Sequence, residues 1–171
     1  MKTLASFLSV TALLALECPC ASEAVPLYRD YNPTIIDHFY TISLAESQNA
    51  VTNLQYNAEG VSMLVFSTQV PGSVRFYRLY SAAATDHFYT TNPTEAAHAS
   101  GYVIEDMSMY IYPTQMCGTV PIYRLYYSAR TDHFYTLSTA ERDSAATGTY
   151  TYEGIAGYAF ESTVKNIPYC K

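Results

Sequence analysis

Several polar residues recur at fixed spacing in this chain, and their types could do chemistry. His38, His87 and His133 each follow an aspartate, Asp37, Asp86 or Asp132, and each precedes Phe-Tyr-Thr. Each Asp lies eight residues after an arginine, Arg29, Arg78 or Arg124. Three neutral imidazoles converging on one axis would make an open tetrahedral zinc site with water as the fourth ligand. The structural reading of the same histidines has each ring held within its own unit by the adjacent Asp or a Tyr hydroxyl. For Arg and Asp, a guanidinium can fork onto the carboxylate across a strand-loop-strand link, giving one ion pair per unit. Alternatively, Arg29, Asp37 and Tyr40 line one sugar pocket, with Arg78, Asp86 and Tyr89 in a second and Arg124, Asp132 and Tyr135 in a third. There Asp would accept from vicinal hydroxyls, Arg would donate, and an aromatic ring would stack on the apolar C–H face.

Catalysis is disfavoured. Glu59, Glu105 and Glu153 could supply glycosidase carboxylates, but three equal copies are a poor way to build one asymmetric acid/base pair. No nucleophile elbow, HExxH, P-loop or GxGxxG is present. The expectation is a non-enzyme that needs no cofactor.

The elements that must position these residues follow from an internal repeat. Leu27-Tyr28-Arg29-Asp30-Tyr31, Phe76-Tyr77-Arg78-Leu79-Tyr80 and Ile122-Tyr123-Arg124-Leu125-Tyr126 each lead to Asp-His-Phe-Tyr-Thr. A Glu follows each Thr by five residues (Glu46, Glu95, Glu141). A later Tyr-x-x-Glu (Tyr56/Glu59, Tyr102/Glu105, Tyr150/Glu153) leads after seven more residues to Phe66, Tyr112 or Phe160. Three units are delimited as 25–73, 74–119 and 120–166, and Ile167-Pro168-Tyr169 resembles the start of a further unit, a closing strand over 167–171. Within a unit, two β-type runs flank a short turn, as in Tyr77–Tyr80 and Asp86–Thr90. Helices are predicted over 94–99 and 138–146, the latter opening on a Ser138-x-x-Glu141 capping box, with stops near Gly101 and Gly148. Strands then return over 61–66, 107–112 and 154–160. The fold expected is mainly β with short helices, a three-fold pseudo-symmetric closed repeat. A three-bladed propeller-like ring fits the helix in every unit more naturally than the alternative, a β-trefoil.

On these motifs the chain resembles a repeat family of unknown function found in secreted fungal and bacterial proteins. Its signature runs (P)LYR-x-(Y/F), DHFYT, E and GY-x-x-EG. The match covers Val25 to Phe160. Asp106 departs from the Gly found at Gly60 and Gly154, and the Gly-Tyr before Glu is complete only at Gly101-Tyr102. The resemblance implies export and an accessory or binding role, since in some bacteria the repeat is appended to secreted hydrolases. It implies no catalytic residue.

Export is also read from residues 1–24, where Met1-Lys2, an apolar stretch from Leu4 to Leu16 and Ser22-Glu23-Ala24 make a signal peptide cut somewhere between about residues 17 and 24. The stretch is shorter than the ~20 apolar residues needed to span a bilayer, so no membrane span is expected. Four cysteines, Cys18, Cys20, Cys117 and Cys170, are then disulfide candidates whose arithmetic depends on the cut. A net charge of −6, without a basic run, argues against nucleic acid. The expected function is a secreted, multivalent module for an extracellular or cell-wall glycan, with a structural surface protein or an accessory to a secreted hydrolase as alternatives.

Overall fold

The computed structural model describes residues 23–163. Residues 1–22 of the signal-peptide reading, the closing strand and Cys18, Cys20 and Cys170 lie outside these residues. Cys117 lies inside them and is not a free thiol.

The Leu-Tyr-Arg runs become the middle strands of three sheets because their alternating side chains can bury one face in the shared core. In the first unit β1 (Val25–Asn32) pairs antiparallel with β2 (Asp37–Thr41) and, beyond helix α1 (Leu44–Asn53), with β3 (Asn57–Val65). In the second, β4 (Val74–Arg75) and β5 (Tyr77–Ser81) form the middle strand. β6 (Asp86–Thr90), α2 (Pro93–His98), β7 (Val103–Ile104) and β8 (Tyr110–Ile111) follow. The third repeats the first, with β9 (Val120–Tyr127), β10 (Asp132–Thr136), α3 (Thr139–Thr147) and β11 (Thr151–Ala159). The hairpin register is the same in all three: Arg29 faces Tyr40, Arg78 faces Tyr89 and Arg124 faces Tyr135. The fold is mainly β with short helices, and the sheets stay separate without closing on themselves.

The units join at their third strands. Leu64 pairs with Phe160, Phe66 with Tyr110 and Tyr112 with Tyr158, each through two reciprocal backbone hydrogen bonds of 2.9–3.2 Å. Inside this triangle the rings of Phe66, Tyr112 and Phe160 meet edge to face at 5.7–6.5 Å. The main core joins Leu27, Phe76 and Ile122 to Tyr40, Tyr89 and Tyr135, so every unit contributes to one shared interior.

The third strands begin earlier than the sequence suggests, at Asn57 and Thr151, and the second unit breaks its strand in two. Gly60 and Gly154 explain both differences. Each sits at a register shift with φ of +90° and +123°, a conformation open to glycine, and the bulge lets the strand continue. Asp106 stands at that place in the second unit. There the chain turns instead, with Met107 N–H donating to Glu105 C=O at 2.9 Å.

Candidate functional site

The inner strands β2, β6 and β10 each pair with one neighbour, which leaves the backbone groups of their other edge needing partners in a dry interior. The Asp-His-Phe-Tyr-Thr side chains supply them across the seams between units. The hydroxyl of Tyr89 accepts the N–H of Tyr40 at 2.7 Å and donates to its C=O at 2.8 Å. Tyr135 does the same for Tyr89, at 2.9 and 2.6 Å. Tyr40 closes the circle on Tyr135, at 2.9 and 2.7 Å. All three tyrosines are at most 1% exposed. Burial pushes their hydroxyls well above the ordinary tyrosine range, so they stay protonated and able to donate.

The aspartates form a second circle. Asp37 accepts the backbone N–H of His87 at 2.9 Å and pairs with its Nδ1 at 2.7 Å. Asp86 serves His133 and Asp132 serves His38 in the same way. The second oxygen of each Asp also accepts a tyrosine hydroxyl from its own unit: Tyr56 to Asp37, Tyr102 to Asp86 and Tyr150 to Asp132. Each histidine ring lies between a Tyr of its own unit and a Phe of the preceding one. His87, for example, lies 4.6 Å from Tyr80 and 4.8 Å from Phe39.

A third circle uses arginine. Arg78 forks onto Glu46 of the preceding unit with two 2.9 Å bonds and stands 5.2 Å over the Phe39 ring. Its Nε lies 2.7 Å from Glu105 of its own unit, an ion-pair distance although the N–H is not aimed at the oxygen. Arg29 does the same with Glu141, Phe134 and Glu59. Arg124 reaches Glu95, Phe88 and Glu153 in the same places, but its Nη1 alone donates to both Glu95 oxygens, at 3.1 Å.

This circle alters the helix caps. Ser138 Oγ accepts the N–H of Glu141 at 3.1 Å, as a capping box requires. The Glu141 carboxylate turns away from the cap, however, to Thr136 and Arg29, and Thr136 Oγ accepts the Ser138 N–H instead. Thr41 with Ser43, and Thr90 with Asn92, repeat this arrangement.

The Arg–Asp pairing expected within each unit is therefore replaced by Arg–Glu and Asp–His contacts between units. The reason is register. Asp37 faces Asn32 and Tyr40 faces Arg29, so Asp37 and the arginine lie three residues, ~10 Å, apart along the hairpin. The nine residues read as sugar-pocket candidates divide accordingly: the three Asp and three Tyr are sealed inside, and the three Arg reach the seams. The histidines face aspartates of the preceding unit rather than one another. Among the described residues, Asp37, Asp86 and Asp132 are the group whose possible metal-ligand atoms all lie within 4.8 Å of one another. Both oxygens of each already accept hydrogen bonds, which makes the trio a hydrogen-bonded hub. His98, the last residue of α2, is exposed and bonds Thr94 C=O.

Outside the joints, the seams form grooves. That between the third and first units is about 700 Å³, lined by Arg29, Glu59, Glu141 and Glu161, by Ser62, Ser138 and Thr139, and by Val61, Pro121, Tyr123 and Leu137 among others. The second–third seam holds about 270 Å³ around Arg124, Glu95 and Glu153, and the first–second about 160 Å³ around Phe39, Tyr56, Glu46 and Glu105.

The sequence matches the profile of a family described as a domain of unknown function (DUF5648) over residues 19–160. The chain belongs to this family. No curated protein and no solved structure matches it. For this member of the family, the joints bring together glutamates whose spacing was visible in sequence but whose partners were not.

These glutamates set an acid limit on stability. Burial alone would raise Glu46, Glu95 and Glu141, but the arginine fork and the threonine hydroxyl outweigh it and hold all three below the usual glutamate range. A carboxyl whose value is lower in the folded state contributes stability above its unfolded value and loses it as pH falls through the folded one. Urea midpoints are accordingly expected to hold from pH 7 to 5 and to fall below about pH 4. Asp30 works in the opposite sense. Burial raises it, its Oδ2 has no hydrogen-bond partner, and it occupies the place of Leu79 and Leu125 in the other units. Its contribution is present at low pH and lost as pH rises through its folded value. Asp30→Asn should therefore raise the urea midpoint at pH 7 and make the fall below about pH 4 steeper, because the opposing contribution is gone.

Proposed function

We propose that this is an exported, non-catalytic binding module that takes carbohydrate at the seams between its units, on a three-bladed propeller-like scaffold. The observation that carries this reading is the groove of about 700 Å³ at the third–first seam, a volume within the ~300–1,000 Å³ range of ligand sites. Hydroxyls, charged groups and apolar walls alternate around it, a mixture suited to sugars. A non-catalytic role is favoured because the two glutamates that recur at every seam are held by arginine instead of standing as a free acid and base. The ring reading draws support from the triangle of reciprocal backbone bonds joining the third strands. A glycan polymer that reached more than one seam would gain avidity.

The second reading is a structural surface protein, and the engagement of the repeated Asp, His and Tyr with one another across the joints favours it. Export and a possible attachment to hydrolases rest on residues 1–24 and on the family resemblance. A screen of the oxidised domain on glycan and insoluble-polysaccharide panels separates the two. Selective retention that Val61→Trp abolishes by filling the groove, at a position 37% exposed and away from the joints, supports the binding module. Absence of retention on every polysaccharide leaves the structural reading.

A further inference from the structure

We infer that the third–first groove selects a glycan carrying free primary amines, a deacetylated amino sugar, over neutral or acidic glycans; this rests on the carbohydrate reading above. The seams share one plan, two glutamates to one arginine, and differ in what stands around it. In the third–first groove a third carboxylate, Glu161, joins Glu59 and Glu141 against the single guanidinium of Arg29. Glu161 follows Phe160, where the other units have Ser67 after Phe66 and Pro113 after Tyr112, so the extra charge belongs to this seam alone. Glu161 is exposed and takes no part in the inter-unit circles, whereas Glu59 and Glu141 are already bound to Arg29. Its carboxylate is the one at the groove that is not engaged by the arginine.

Among the described residues, three carboxylates stand against one guanidinium at the groove, an excess of two negative charges, on a chain of net charge −6. Uronic acids, sulfated sugars and phosphates would be repelled on approach, and an ammonium group would be drawn in. The hydroxyls of Ser62, Ser138 and Thr139 supply donors and acceptors for ring hydroxyls, and Val61, Pro121 and Leu137 give apolar surface to the C–H faces. An oligomer of glucosamine meets all three features: ammonium groups along its length, free hydroxyls and apolar ring faces.

The test is calorimetry on the folded oxidised protein with glucosamine hexamer, its fully N-acetylated counterpart, glucose hexamer and spermidine, each at low and at physiological salt. The glucosamine hexamer is expected to bind tightest and to weaken as salt screens the charges. Glu161→Gln should weaken it about threefold to fivefold while leaving the urea midpoint unchanged, since this surface charge holds no joint. Equal binding of the N-acetylated or glucose hexamer overturns the amine selection and leaves the carbohydrate reading standing. Failure of every hexamer overturns both. Spermidine binding as well as the glucosamine hexamer, with the same response to Glu161→Gln, overturns the selection for a sugar and leaves a simple cation trap.

Discussion

Removing one oxygen from Tyr89 is expected to cost the protein a large part of its stability. In Tyr89→Phe the ring still fills the core, but the N–H and C=O of Tyr40 both lose their partner where both residues are at most 1% exposed. Each buried backbone group left unpartnered costs about 1–3 kcal/mol, so for the two groups the urea-derived loss should fall near 2–6 kcal/mol. Tyr40→Phe and Tyr135→Phe should cost similar amounts because they break equivalent bonds. The same deletion at Tyr112 should have the opposite sign. That hydroxyl is buried without a hydrogen-bond partner, and the other two units place Phe66 and Phe160 there. Tyr112→Phe should therefore stabilise by about 1 kcal/mol. A Tyr89→Phe cost no larger than that of an exposed tyrosine would mean the central circle of bonds does not form.

Truncating an aspartate of the hub should have a comparable effect. Asp37→Ala removes the acceptor for the His87 backbone, the His87 ring and the Tyr56 hydroxyl at once. Breaking a buried charged network from one side typically costs about 3–5 kcal/mol, a large fraction of the ~5–15 kcal/mol that holds a domain together. Asp86→Ala and Asp132→Ala should match it, as their contacts match. Any loss of glycan retention in these variants would then report unfolding, to be checked by far-UV circular dichroism before it is read as a lost contact. A cost under about 1 kcal/mol at all three positions would place the aspartates at a solvated surface instead.

The strand-strand-helix-strand unit was legible because its signals are local: β-type runs either side of a short turn, Ser138 three residues before Glu141, and apolar returns after Glu59 and Glu153. Asp106 in the place of a glycine marked the second unit as different, but the strand expected over 107–112 carried no sign that it would break there. Partnership across units was not legible. Arg78 and Asp86 are eight residues apart and look like a pair, yet the hairpin register holds them apart. The residues that meet them, Glu46 and His133, lie 32 and 47 positions away. Periodicity marks which residues are equivalent and leaves open which neighbour each one faces. The half-buried glutamate fork carried one usable sign, a Glu at a constant five residues after each Thr, on a helix too polar to need it for packing. The groove at the third–first seam was beyond reach, since it depends on Glu161 meeting residues of the first unit.

The most direct test is a pair of double-mutant cycles on Arg78. The first combines Arg78→Ala with Glu46→Ala, its fork partner in the preceding unit, and the second combines it with Glu95→Ala, the equivalent glutamate of its own unit. If the repeated motif is a joint that always reaches one unit back, the first cycle should give a coupling of about 0.5–3 kcal/mol and the second one within about 0.5 kcal/mol of zero. Coupling to Glu95 with none to Glu46 would contradict the account, because the units would then be closed on themselves and the motif free for another purpose.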